Sequence, residues 1–165
     1  MLEVIRKQLI EYEIAIITRE NFEKVFEVYN TNQNFFLLTQ GSKTTVESSI
    51  NDIDALPPTC DVSQKIYVSI CEQDKIIAVM DLITGYPEET TIWIGLLLIH
   101  GDMQGKKIGS RIVNAVLDAA YATGSKSAQL GVIESNTRAV VFWQKHGFEI
   151  FQQSDNIVIM ARKLV

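Results

Sequence analysis

The run Ile92-Trp93-Ile94-Gly95-Leu96-Leu97-Leu98-Ile99 is eight residues of unbroken apolar character. It has no polar alternation, so it predicts a strand covered on both faces, as in the middle of a sheet. His100-Gly101-Asp102-Met103 interrupts the run, and Gln104-Gly105-Lys106-Lys107-Ile108-Gly109-Ser110 follows. Beyond that turn Ile108, Ile112, Val116 and Ala119, flanked by Val113, Leu117 and Ala120, recur at the spacing of one helix face. Thr123-Gly124-Ser125 then ends the helix, with glycine near its C-terminal position.

Upstream, Tyr12 to Ile17 reads as a first strand, and Thr18 to Asn21 supplies cap residues for a helix that turns Phe22, Val25, Phe26 and Tyr29 inward. Phe35-Phe36-Leu37-Leu38 is expected as an apolar patch in a loop. A second helix opens with Thr44 and Glu47 in capping-box spacing, buries Val46, Ile50 and Ile53, and stops before Leu56-Pro57-Pro58. Ile66 to Ile70 and Lys75 to Ile83 flank Glu72-Gln73-Asp74 as a hairpin. Downstream come a short strand at Ala128 to Val132, a short helix carrying Ala139, Val140, Phe142 and Trp143, and closing strands at Phe148 to Phe151 and Asn156 to Leu164. Hairpins combined with a strand–helix–strand crossover predict an α+β fold, a mixed sheet with helices packed on it.

Composition narrows the function classes. At 165 residues, 47% hydrophobic and 21% charged, the chain reads as one soluble domain spanning 1–165. No apolar run approaches the ~20 residues needed to cross a bilayer. Charges at Glu3, Arg6, Lys7 and Glu11 break up the N-terminal segment, so no secretion signal is expected and the cytoplasm is the expected location. A net charge of −5, without any basic block, argues against nucleic acid as a partner. Cys60 and Cys71 are expected as free thiols, their spacing fitting neither a metal site nor a disulfide framework.

Against this acidic background Lys106 and Lys107 stand at the start of a helix, the positive end of its dipole. They are either two solvated lysines at a surface turn or part of an anion site, in which a bound anion on the exposed amides turns repulsion into attraction.

Two motifs decide between these readings. The turn Gln104-Gly105-Lys106-Lys107-Ile108-Gly109 follows a buried strand, and Asn136-x-x-Ala139-x-x-Phe142-Trp143-x-Lys145-x-Gly147-Phe148 lies downstream. In this order the pair resembles the GNAT N-acetyltransferase superfamily over roughly Tyr12 to the C-terminus. The resemblance implies a mostly antiparallel central sheet of about seven strands flanked by about four helices. It also implies acetyl transfer from acetyl-coenzyme A to a primary amine of a small molecule or peptide. Amides of Gln104, Gly105, Lys106, Lys107, Ile108, Gly109 and Ser110 would then hold the pyrophosphate. Backbone groups of Leu97, Leu98 and Ile99 would pair with the pantetheine arm, and one N–H could polarise the thioester carbonyl. Asn136 would bond the pantetheine or phosphate region while also serving as a helix cap.

The chain departs from the family twice. Lys107 replaces the first glycine of the turn, which helical dihedrals at that residue would accommodate. Trp143 stands where family members often carry a tyrosine acid, and its indole N–H is a donor only. Trp143 either packs against the cofactor or fills the core. Trp93 also replaces a strand glutamate found in some members. Candidate bases are therefore His100, Asp81 and Glu134, acting through water. Phe35, Phe36 and Tyr86, with Glu88 and Glu89, are nominated to face the acceptor. Two rival readings stay open, a catalytically weak acyl-coenzyme A sensor and transfer of a larger acyl group into space near Phe35 and Met80. So does the choice between a monomer and a homodimer.

Overall fold

Antiparallel hairpins and one parallel crossover build the sheet in a computed structural model that describes residues 1–165. The chain runs α1 (Leu2–Gln8), β1 (Glu13–Ile16), α2 (Phe22–Asn30), α3 (Gln33–Gln40), α4 (Val46–Ser49), β2 (Lys65–Glu72), β3 (Lys75–Thr84), β4 (Thr91–Ile99), α5 (Ile108–Ala122), β5 (Ser127–Ile133), α6 (Thr137–Lys145), β6 (Glu149–Ser154) and β7 (Ile157–Lys163). Short 3₁₀ turns occupy Ile50–Ile53, Val62–Gln64 and Gly101–Met103. The seven strands lie in the order β1-β2-β3-β4-β5-β7-β6. The chain thus has the α+β architecture and the strand count expected, with six helices rather than about four.

Each face of the sheet carries its own core. One gathers Met80, Leu82, Ile92 and Ile94 from β3 and β4 against Ile112, Val113, Val116 and Ala120 of α5. A buried branched aliphatic side chain contributes roughly 1.5–3 kcal/mol, so the apolar stripe of α5 fixes that helix on the sheet. The opposite face packs Tyr67, Val79 and Leu98 against Phe22, Val25, Val28 and Tyr29 of α2.

The pairing of β4 and β5 positions the site. They are parallel and bonded only from Thr91 to Ile94 against Ser127 to Leu130. Beyond Ile94, β4 continues to Ile99 on β3 alone, and β5 continues to Ile133 on β7 alone. The expectation that the whole apolar run is covered on both faces is therefore corrected. Ile92, Ile94 and Leu98 are buried, but Gly95 is exposed and Leu96 and Leu97 are only part-buried, because they face the gap left by β5.

Two helices escape the periodicity. In α1 only Ile5 is buried, and the capping Leu9 beyond it is buried too, among charged neighbours. The patch at Phe35–Leu38 is helix α3 rather than loop, closed by Gly41 at φ 76°. Only Phe36 is buried in α3, so its four consecutive apolar residues show no one-sided pattern. The capping box of α4 is also one residue later than expected. Thr45 and Ser48 close it, while buried Thr44 bonds the hydroxyls of Ser48 and Ser49.

Candidate active site

The gap between β4 and β5 opens a cleft of about 1160 Å³. It runs from the turn before α5, along the unpaired edge of β4 and past Trp143. Leu97, Leu98, Ile99, Gln104, Gly105, Lys107, Ile108, Gly109, Ser110, Asn136 and Trp143 all line it; Lys106, the remaining expected member, points its ammonium toward Met103 Sδ at 3.7 Å.

At the start of α5, Lys107 adopts φ 64°, ψ 10° rather than helical dihedrals, which corrects the expectation. A left-handed conformation is one that glycine adopts freely and lysine adopts at a cost. Gly105, at φ 77°, has nothing within 4 Å of where a Cβ would stand. No side chain caps α5, so its first amides are left open toward the cleft mouth. Gly109 is more confined: a Cβ there would lie 3.4 Å from Phe142 Cζ and 3.6 Å from Ile99 Cγ1.

Hydrogen bonds brace this turn against the helices above it. The Ile99 carbonyl accepts from Asn32 Nδ2 at 3.0 Å and from Gln104 Nε2 at 3.1 Å. Gln104 Nε2 also donates to Asn32 Oδ1 at 3.0 Å, and Gly101 N–H donates to Thr31 Oγ1 at 3.0 Å. The motif glutamine is therefore an anchor for the end of β4. Nothing in the sequence pattern singled out Thr31 or Asn32. Arg138 and Lys145 join Lys107 in lining the cleft, so positive charge gathers there in a chain of net −5.

Asn136 Oδ1 accepts from the Ala139 N–H at 3.2 Å, capping α6. Trp143 is 8% exposed and packs edge-on against Phe142 and Phe148, with centroids 5.0 and 5.3 Å away. It is a core residue with one edge on the cleft.

The three candidate bases separate. Glu134 is exposed and accepts from Gln153 Nε2 at 2.8 Å. His100 is 3% exposed and outside the cleft lining; its Nδ1 accepts from Asp102 N–H, and its Nε2 lies 3.5 Å from Glu27 Oε1. Asp81, like the other two, is not in the cleft lining, but it lies directly behind Gly95, which is. At that level β4 bulges, with Asp81 opposite Leu96 and Leu82 opposite Ile94, so Gly95 is the extra residue. A Cβ on Gly95 would stand 3.4 Å from Asp81 Oδ2. Lys65 Nζ donates to the same Oδ2 at 2.8 Å, with both side chains largely buried. Burial pushes the Asp81 carboxyl above the ordinary aspartate range, against the pull of the Lys65 ammonium.

The aromatic candidates also divide. Phe35 lines the cleft, whereas Phe36 is buried and stacks on Tyr29 at 5.5 Å. Tyr86 meets Trp93 edge-on at 5.7 Å. Beside Met80 the free space is about 10 Å³, room for one water at most.

The sequence model of the acetyltransferase (GNAT) family matches residues 22–148. The chain belongs to the GNAT acetyltransferase family. A GNAT enzyme of this kind is an acyltransferase that uses acetyl-coenzyme A as co-substrate and acts on amines. Its fold is similar to that of an acetyltransferase from Thermus thermophilus, at TM-score 0.80 and 22% identity over 93% of this chain and 97% of the other. The PaiA N-acetyltransferase of Thermoplasma acidophilum, solved in complex with coenzyme A, gives TM-score 0.71 and 17% identity over 92% and 98%. A GNAT-family acetyltransferase from Staphylococcus aureus gives 0.70 and 14% over 93% and 99%. Among curated proteins no sequence match was found. No helix of this GNAT chain is long and apolar enough to cross a membrane.

Proposed function

We propose that the protein transfers the acetyl group of acetyl-coenzyme A to a primary amine of a small molecule or peptide, by direct attack in a ternary complex. One observation carries this reading: a single cleft has a turn with uncapped helix amides at one end and an unpaired β4 edge along it, with the Asp81 carboxylate just behind the lining residue Gly95.

The residues present fit the co-substrate. Open amides from Gly105 to Ser110, with Lys107 and Arg138 beside them, suit a pyrophosphate. The unpaired edge of β4 from Leu97 to Ile99 suits an extended pantetheine arm. When bound, acetyl-coenzyme A supplies an activated acetyl thioester. A β4 N–H directed at its carbonyl oxygen would stabilise the charge that develops there.

Chemistry at the amine is harder than departure of the thiol. An alkyl ammonium near pKa ~10.4 must lose a proton before it can attack, whereas a thiol near ~8.5 leaves readily. Asp81 is the group we assign to that proton, because it lies behind the Gly95 bulge and its burial favours the protonated form. Phe35, Trp93 and Tyr86 would supply an apolar and aromatic wall for the rest of the acceptor.

The test is thiol release from acetyl-coenzyme A with a panel of aliphatic diamines, amino acid amides and lysine-bearing peptides. Turnover that depends on one class of amine supports the reading. Tight coenzyme A binding with no thiol release on any amine would instead support a sensor, the alternative that Trp143 at the family's tyrosine position favours.

A further inference from the structure

Behind the bulge lies a cluster that amine acetylation by itself does not require. Lys65 Nζ bridges Asp81 Oδ2 and the Ala55 carbonyl, each at 2.8 Å, and sits 5.2 Å from the ring centre of Tyr67. Tyr67 pairs with Asp81 across β2 and β3, and its hydroxyl bonds that of Tyr29 on α2. Tyr29 donates in turn to Asp52 Oδ2 at 2.8 Å, from the 3₁₀ turn Ile50–Ile53. The groups that face Asp81 are thus Lys65 and Tyr67 from β2, Asp52 and Tyr29 through that chain, and the bare backbone of Gly95 from β4.

The charges do not balance. Two carboxylates share one ammonium, and the tyrosines are held neutral, their hydroxyls pushed far up by burial. Asp81 Oδ1 is buried with no hydrogen-bond partner. A buried site with one surplus negative charge and one unpartnered carboxylate oxygen takes up a proton or a cation. Burial raises both carboxyls, and the Asp52 charge raises Asp81 further.

We propose that Asp81 and Asp52, linked through Lys65, Tyr67 and Tyr29, form a one-proton acceptor that takes the proton given up by the acceptor's ammonium group at Asp81. In this step an N–H bond of the ammonium breaks, an O–H bond forms on the Asp81 carboxylate, and no electrons change hands. The free amine is then the nucleophile, and the cluster later returns its proton to water. Asp81 is the catalytic residue of this set. Lys65, Tyr67, Tyr29 and Asp52 are positioning residues that set the pH at which Asp81 accepts.

The inference rests on the amine-acetylation reading, so it needs a test that also works without turnover. Infrared spectroscopy of the full chain, with coenzyme A bound, follows carboxylic C=O absorption as pH is raised. A band should persist above the ordinary aspartate range, lose its Asp81 component in Asp81→Asn, and have that component move to lower pH in Asp52→Asn. If every aspartate ionises in the ordinary range, the cluster is refuted even if amines are acetylated. Where an amine is turned over, kcat/KM is measured from about pH 5 to about pH 9. Asp81→Asn should lose roughly 10²–10⁴-fold and its acid limb, and Asp52→Asn should move the limb to lower pH. A purely structural Asp52 would lower the rate at all pH values with the limb in place, which overturns the proposal. Should Asp52→Asn fail to fold, the infrared titration of the unmodified protein still decides.

Discussion

Lys107 holds a backbone conformation that its side chain resists, so Lys107→Gly should stabilise the protein while weakening its hold on coenzyme A. The residue is exposed, sits at φ 64°, and caps α5 without a side-chain hydrogen bond. A left-handed conformation costs a residue with a Cβ about 1–2 kcal/mol. Glycine removes that cost but gives back about 0.4–1 kcal/mol through the freer unfolded chain. The difference favours glycine by about 0.5–1 kcal/mol, or a Tm rise of roughly 1–4 °C in a chain of this size. Loss of the cation from the cleft should cost roughly 0.3–1 kcal/mol of coenzyme A binding, a two- to fivefold rise in Kd that shrinks with salt. Lys107→Ala is the control, because it loses the charge yet keeps the Cβ. It should weaken binding to the same degree with no gain in Tm. Thermal denaturation and calorimetric titration of the three proteins read both effects. A glycine variant no more stable than the alanine variant would refute the backbone reasoning, and unchanged affinity in both would remove Lys107 from the anion site.

Other outcomes follow from single contacts. Gly109→Leu should abolish measurable coenzyme A binding while the far-ultraviolet spectrum is retained, because the side chain must enter the cleft past Phe142; Gly109→Ala, at ordinary contact distance, should bind. Asn136→Ala removes the α6 cap and should lower stability by about 1 kcal/mol, read as a Tm fall of roughly 2–4 °C. Lys65→Met leaves Asp81 buried without its cation and should cost about 3–5 kcal/mol in urea denaturation; a double variant with Asp81→Leu should recover much of that loss. Burial raises the Asp52 carboxyl, so the folded state prefers it protonated. Its contribution to stability is therefore complete below the unfolded pKa and is lost as pH rises through the folded one. Urea midpoints should accordingly show Asp52→Asn gaining on the unmodified protein across that window.

Reading from sequence succeeded where a pattern had one dominant cause. The stripe of α5 and the alternation of β7 each follow from burial of one face, and the β2–β3 hairpin from two apolar runs around a polar turn; all three lie where their residues indicate. It failed where partners were distant. α3 presents four apolar residues of which only Phe36 is buried, so no period could reveal it. The bulge at Gly95 depends on where β5 leaves β4, a property of pairing rather than of the apolar run. Within the site, the motif residues of the turn were legible because anion binding needs open amides close together in the chain. Asn32, Lys65, Tyr67 and Asp52 were not, since each acts through a contact 16 or more residues away: Asn32 on Ile99, Lys65 on Asp81, Tyr67 on Tyr29, and Asp52 on Tyr29.

The cleft assignment is tested most directly by backbone-amide NMR during titration with coenzyme A. The amides of Gly105 to Ser110 and of Leu97 to Ile99 should move together and saturably, with Asn136 following and β1 and β6 unmoved. Saturable binding that shifts other amides while leaving residues 105–110 in place would contradict the cleft as the co-substrate site, as would no shift at all at millimolar coenzyme A.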